Sequence, residues 1–280
     1  MGSAALTGWP HMNSTPIDVW NLDTFDEALL AELNSERNLL RDYALTDTRQ
    51  FFEREAADGW VPPASNPYAA ARNRFVEHVV MPAMEQRTIR AWHYTRLTDD
   101  ETALLKSAGV RVSTLEQIRR RLDVQVSART LSAEAADALY SASPFHQQHD
   151  SRAGKFWMTS HPVSADNSGV ELLLENWGGE GVYFWLKDPQ LVERVRSFGR
   201  PRVIELAVPL GVTRHAYSAA KGVVATFVRT LGCDPDWSAF DLYTTSALGA
   251  DAVLNIHTEG EPNFAALARG YPGRFVDRKP

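Results

Sequence analysis

A change of hydrophobic period at Arg87 constrains this chain more than any other feature. Before it, Phe25, Leu29, Leu33 and Leu40 recur at helical intervals over residues 24–45. Thr24 and Glu27 have the spacing of a capping box at the start of that run. A shorter helical piece covers 47–57, and Gly59-Trp60-Val61-Pro62-Pro63 then breaks the chain. Asn66-Pro67 opens a further helix towards Arg87, with Pro82 as a kink or an end. After Arg87 the pattern alternates: Thr88-Ile89-Arg90-Ala91-Trp92-His93-Tyr94 is rich in strand formers. The chain therefore divides into a helical N-terminal region, 12–87, and a second region, 88–280.

Within the second region, strand signals recur between helical ones. Lys155 to Thr159, Gly181 to Leu186, Arg202 to Val208 and Ala252 to Ile256 read as strands. Helices are expected from the capping boxes Thr98/Glu101 and Ser113/Glu116, the first stopped by Gly109. Further helical character is expected over 122–150, 170–177, 189–198 and 217–230. Strands separated by irregular helices and loops imply an α+β fold. No Gly-x-Gly-x-x-Gly follows a strand and no Walker phosphate loop or Gly-x-Ser-x-Gly elbow occurs. These absences argue against a Rossmann domain, a P-loop nucleotidase and that family of serine hydrolases.

Composition narrows the functional classes. The 280 residues are 44% hydrophobic and 23% charged, the balance of an ordinary globular chain. The net charge of −6 speaks against general nucleic-acid binding; Arg119-Arg120-Arg121 reads as a solvated helix face. No apolar run has the length of a membrane span. The first dozen residues lack a signal-peptide pattern, and residues 1–11 read as an expression-vector remnant. The single cysteine, Cys233, excludes an intrachain disulfide and fits a cytoplasmic setting. His146, His149 and Asp150 have a spacing that metal sites use, but no further ligand is recognisable, and a metal is not expected.

Two segments carry chemistry. Trp92-His93-Tyr94-Thr95-Arg96 ends an apolar strand, and Gly178-Gly179-Glu180-Gly181-Val182-Tyr183-Phe184 follows about ninety residues on. A glycine two positions ahead of an aromatic lets a flat ligand approach the backbone and stack. In this order the two segments resemble the nicotinamide pocket of ADP-ribosyltransferases of the His-Tyr-Glu class, which includes the poly-ADP-ribose polymerases. The resemblance spans roughly residues 88–265. It implies a split mixed β-sheet and NAD as substrate, with release of nicotinamide and transfer of ADP-ribose to an unknown acceptor or to water. It also implies site roles. His93, Tyr94 and Thr95 would hold the nicotinamide riboside, and Gly181 and Tyr183 would bound and stack on the ring. The third residue of the class is a Glu near the start of a late strand. The best counterpart is Asp241 in Phe240-Asp241-Leu242-Tyr243-Thr244, a departure that rifampicin-modifying bacterial members share. Glu180, Glu259 and Glu261 are rival acids. The resemblance leaves open a toxin, a phage-defence factor or a modifying enzyme. It also leaves open a non-catalytic binding module on the same fold.

Overall fold

The computed structural model describes residues 15–57, 59–60, 62, 64–235 and 239–270. The expected vector remnant and parts of the expected break at 61–63 and turn at 237–238 lie outside the described residues. The elements in chain order are α1 (Glu27–Ser35), α2 (Arg37–Glu55), α3 (Ala69–Phe75), α4 (Met81–Glu85), β1 (Thr88–Leu97), α5 (Asp99–Ala108), α6 (Leu115–Ser127) and α7 (Ala133–Ser141). They continue with α8 (His149–Arg152), β2 (Phe156–Thr159), α9 (Glu171–Glu175), α10 (Glu180–Tyr183), α11 (Pro189–Ser197), β3 (Arg200–Pro209), α12 (Ala216–Thr230), β4 (Asp241–Thr244), β5 (Val253–Thr258) and α13 (Pro262–Leu267).

The fold is α+β around one five-stranded sheet of order β4-β2-β1-β3-β5. Every pair of named strands is antiparallel, so the expected mixed sheet is corrected. A parallel pair needs a crossover that returns the chain to the same end of the sheet. The β2-to-β3 connection is of that kind, but it sets β3 on the far side of β1, and β4 and β5 take opposite edges, so no two like-directed strands are neighbours. Among the described residues, parallel pairing occurs only as isolated bridges, Ile17 to Ile89 and Arg96 to Trp177.

Local chemistry explains most helix boundaries. Asp26, not Thr24, caps α1 by accepting from the Leu29 N–H. Thr24 instead closes a short turn before it. Arg87 grips the same Asp26 carboxylate at 2.7 Å and holds it well down, at about 2. The expected 24–45 helix is thus two helices parted at Glu36. Thr98 and Glu101 form the expected capping box, and Gly109 ends α5 at φ 75°. Thr114, rather than Ser113, caps α6 through the Gln117 N–H. Pro82, which has no N–H to donate, follows a π-helical turn over Val76–Val80, so the helical irregularity falls one turn ahead of the proline.

Alternation along β1 and β3 serves two cores. Ile89, Ala91, Ile204, Leu206 and Val208 face a large core that also takes Val19, Leu29, Leu33, Leu40, Met84 and Ala220. The helical region 12–87 and the sheet therefore share one core. Trp92, Tyr94 and Val203 face the other side, with Val170, Leu174 and Phe264. A third cluster joins Ile118 and Leu122 of α6 to Leu139, Trp177, Val182, Val195 and Phe198. It lies against the C-terminal end of β1, where Trp177 bridges to Arg96.

Segment 181–186 departs most from expectation. It is a short helix and a turn, not a strand. Gly178 and Gly179, at φ 90° and 64°, turn the chain into α10. A β-carbon on Gly181 would stand 2.8 Å from Ile118 Cδ1. The glycine thus lets α10 pack closely on α6, and Val182 then fills the third cluster.

Candidate functional site

One edge of β1 is paired with β3 along its whole length, Thr88 to Leu97 against Pro209 to Arg200. The other edge is shared by three separate segments. Ile17 pairs at its start, Thr159 of β2 at Trp92, and Trp177 at Arg96. β1 and β2 thus part company immediately after Trp92. Ile17 bonds the Thr88 carbonyl and the Arg90 N–H, so even-numbered residues of β1 direct their backbone groups to this edge. By the same alternation, the N–H and C=O of Tyr94 face the gap.

His93 stands at this parting. Its Nδ1 lies 2.8 Å from the Trp157 carbonyl. A carbonyl only accepts, so Nδ1 carries the proton and Nε2 of the neutral ring is an acceptor. Burial depresses the imidazole to about 4, the Trp157 bond opposes this, and the nearby positive charge of Arg121 lowers it further. The ring is therefore neutral at physiological pH. It lies 4.4 Å, centroid to centroid, from the ring of Phe156. Thr95, two residues on, shares the His93 side of the strand and is buried.

The surroundings of the gap come from three further segments. Ser113 pairs with Lys155, which fixes the start of α6 beside the start of β2. From α6, Arg121 bonds Glu101 at 2.7 Å and lies 4.8 Å from the Trp177 ring centroid. The Trp177 indole N–H donates to Glu101 at 2.8 Å. Beyond Trp177, Glu180 pairs with Arg152, just ahead of β2, and the Arg152 guanidinium lies over Phe184. The segment 177–180 therefore spans from the end of β1 to the entry of β2.

The expected site residues fall in different places. His93 lies at the gap. The Tyr94 side chain does not: it is on the opposite face, where its hydroxyl accepts from the Val163 N–H at 2.6 Å. Tyr94 can contribute only its backbone at the gap. Tyr183 is on α10, outside the sheet, so it is not a strand neighbour of His93. Burial pushes its hydroxyl up to about 12, with Glu180 adding to this and Arg152 opposing it. Gly181 meets α6 rather than open space.

Asp241 does begin a late strand, next to β2. Its register partner is Thr159, which pairs with Trp92. Alternation therefore turns Asp241 to the Trp92 face, away from that of His93. There it faces His215: packing pushes the Asp241 carboxyl up and His215 pulls it back, while burial lowers His215 and Asp241 opposes it. Tyr243 lies 5.0 Å from the His215 ring and 4.7 Å from that of Trp157, with the Lys155 ammonium over both aromatic rings.

The other acids and the histidine pair have local partners. Glu261 accepts from the Thr258 N–H. The Glu259 backbone carbonyl accepts from Arg200, and its carboxylate charge acts on Arg96. His146 turns back to the Tyr140 carbonyl at 3.0 Å, and His149 Nδ1 lies 3.4 Å from the Asp150 carboxylate. Among the described residues, no cluster of three or more His, Cys, Asp or Glu is arranged to hold a metal ion.

Phe156 is the residue that sequence reasoning missed. Its signal was present: Gly154-Lys155-Phe156-Trp157 has the same glycine-x-aromatic-aromatic spacing as Gly181-Val182-Tyr183-Phe184. Only the first of the two forms a strand, and that strand is the neighbour of β1.

The His93 environment has a pH consequence. Its folded value of about 4 lies below the ordinary 6.5, so the unfolded chain takes up the proton first as pH falls. Stability is complete above pH 6.5 on this account and declines towards pH 4. Urea titrations at several pH values should show a shallower decline in His93→Gln than in the parent, by up to about 1.4 kcal/mol per pH unit. Parallel slopes would contradict this assignment.

Comparisons of the chain with protein-family models, with curated proteins and with solved structures found no match.

Proposed function

We propose that this chain is an NAD-consuming enzyme of ADP-ribosyltransferase type, on the split-sheet fold of that class. It would release nicotinamide and pass ADP-ribose to an acceptor or to water. The observation that carries the reading is the parting of β1 from β2 at a neutral His93 whose ring sits 4.4 Å from that of Phe156. A carboxamide needs one donor and one acceptor in a plane, and the strand edge at Tyr94 has that pair facing the gap. A flat ring beside it would meet Phe156, whose aromatic face is worth about 0.5–1.5 kcal/mol beyond its buried area. His93 Nε2 would accept a hydrogen bond from a ribose hydroxyl. In this reading Phe156 takes the stacking role that the sequence assigned to Tyr183.

Cleavage of the bond between nicotinamide and ribose leaves positive charge on the sugar, which a carboxylate stabilises. Asp241 is the counterpart by chain order and by its strand, which flanks β2. Glu180 is the counterpart by position, since its segment spans from the end of β1 to the start of β2. A second reading, a binding module without catalysis, draws support from these same facts: Asp241 faces away from His93, and Glu180 is engaged by Arg152.

Nicotinamide release from NAD by the purified full chain tests the proposal. The parent should release it, and His93→Ala should weaken NAD binding by about 1–3 kcal/mol, the effect of stranding a buried partner. Phe156→Ala should weaken it by about 1 kcal/mol, and Tyr183→Ala by less. NAD binding without release, in the presence of varied acceptors, would favour the binding module. Calorimetry showing no NAD binding would remove both readings.

A further inference from the structure

A cavity between α2, α3 and α12 shares no lining residue with the β1 gap. Leu40, Tyr43, Ala44 and Asp47 fall at i, i+3, i+4 and i+7 on α2, and Lys221, Val224, Ala225 and Val228 do so on α12. These two stripes, with Arg72 and Pro235, line a cavity of about 230 Å³. That is small beside ligand pockets of roughly 300–1,000 Å³, so it suits a compact molecule rather than a dinucleotide. Each stripe carries alanine at its centre, Ala44 and Ala225, where a larger side chain would close the space.

The chemistry of the lining is asymmetric. The floor is apolar: Leu40, Ala44, Val224, Ala225 and Val228 are all buried. The rim carries two cations, Arg72 and Lys221, against one carboxylate, Asp47. Neither Arg72 nor Lys221 has an ion-pair partner among the described residues. The Arg72 guanidinium lies 5.1 Å from the Tyr43 ring centroid, which holds it over the cavity wall. Its Nη1 donates to Asn73 at 3.1 Å, but its Nε is buried with no acceptor among the described residues. A buried donor left unmade is costly, so this group has bonding capacity that a water or a ligand in the cavity can take up.

We infer that this cavity binds a small amphipathic anion. Its apolar body would rest between Ala44 and Ala225, and its carboxylate or similar group would be held by Arg72 and Lys221. The site is separate from the β1 gap, and its test needs no NAD.

Calorimetric titration of the full chain with benzoate, benzyl alcohol and benzylammonium compares three probes of similar shape and different charge. Benzoate should bind at least about tenfold more tightly than benzyl alcohol, the worth of one charge-assisted bond, and benzylammonium should give no binding. Arg72→Gln should bring benzoate down to the level of the alcohol, and Lys221→Gln should weaken it less. Ala225→Leu, which fills the space, should abolish binding of both. If the leucine variant fails to fold, the two glutamine variants still decide the matter. Absence of benzoate binding in the parent, equal binding of the three probes, or full benzoate affinity in Arg72→Gln would each overturn the inference.

Discussion

Replacing Trp177 with alanine should lower the unfolding free energy by about 3–5 kcal/mol, the range for deleting a buried aromatic side chain. Trp177 is fully buried and packs edge-on against Phe198 at 5.4 Å. It also supplies the indole donor to Glu101 and the backbone bridge to Arg96. Its loss opens a cavity in the third core cluster and removes a bond from a carboxylate that the Thr98 cap also uses. Trp177→Phe keeps much of the volume and should cost less, about 1–3 kcal/mol, chiefly for the lost donor to Glu101. Urea unfolding curves of the three proteins measure both values. A loss under about 1 kcal/mol for the alanine variant would mean that the cluster collapses around the missing ring.

On the proposed activity, exchanging the acting carboxylate for its amide should lower nicotinamide release by roughly a hundredfold or more while leaving NAD affinity largely intact. The amide preserves size and removes charge, so binding and chemistry separate. Asp241→Asn and Glu180→Gln put this effect on two different residues. If Asp241 acts, a rearrangement must bring its side of β4 to the ligand, because alternation in the present register turns it to the Trp92 face. If Glu180 acts, it must leave Arg152, and Arg152→Gln should then retain or raise the rate. A drop in only one amide variant assigns the role. Unchanged rates in both would remove the carboxylate mechanism from these two residues.

Much of the secondary structure was legible because its signals are local. The Thr98/Glu101 capping box, the Gly109 stop and the strand formers of Thr88 to Tyr94 act within a few residues. The structure has those elements where the sequence indicated them. Competing caps were less legible. Thr24 and Asp26 both suit an N-cap, and the Arg87 partner sixty-one residues away favours Asp26. The glycine-aromatic segments failed for a related reason. Gly154-Lys155-Phe156-Trp157 and Gly181-Val182-Tyr183-Phe184 have the same local pattern, yet one is a strand and the other a helix.

The sequence by itself determined that helices and strands would mix and that His93 would sit in a strand, whereas the strand that Asp241 begins was implied only by the resemblance. The first two outcomes follow from period, propensity and capping, which neighbouring residues set. Tertiary structure decided what stands next to His93. The β1 edge is completed by Ile17, Thr159 and Trp177, segments far apart in the chain, and the gap between them exists only once all three are docked. Tertiary structure also decided the fate of the second glycine motif. Gly181 packs against Ile118, and burying Val182 in the third cluster holds that segment as a helix turn away from the sheet. Backbone pairing and burial outweigh the small local difference between strand and helix in so short a segment. The partner that completes a strand edge is a property of the folded chain, not of any window along it.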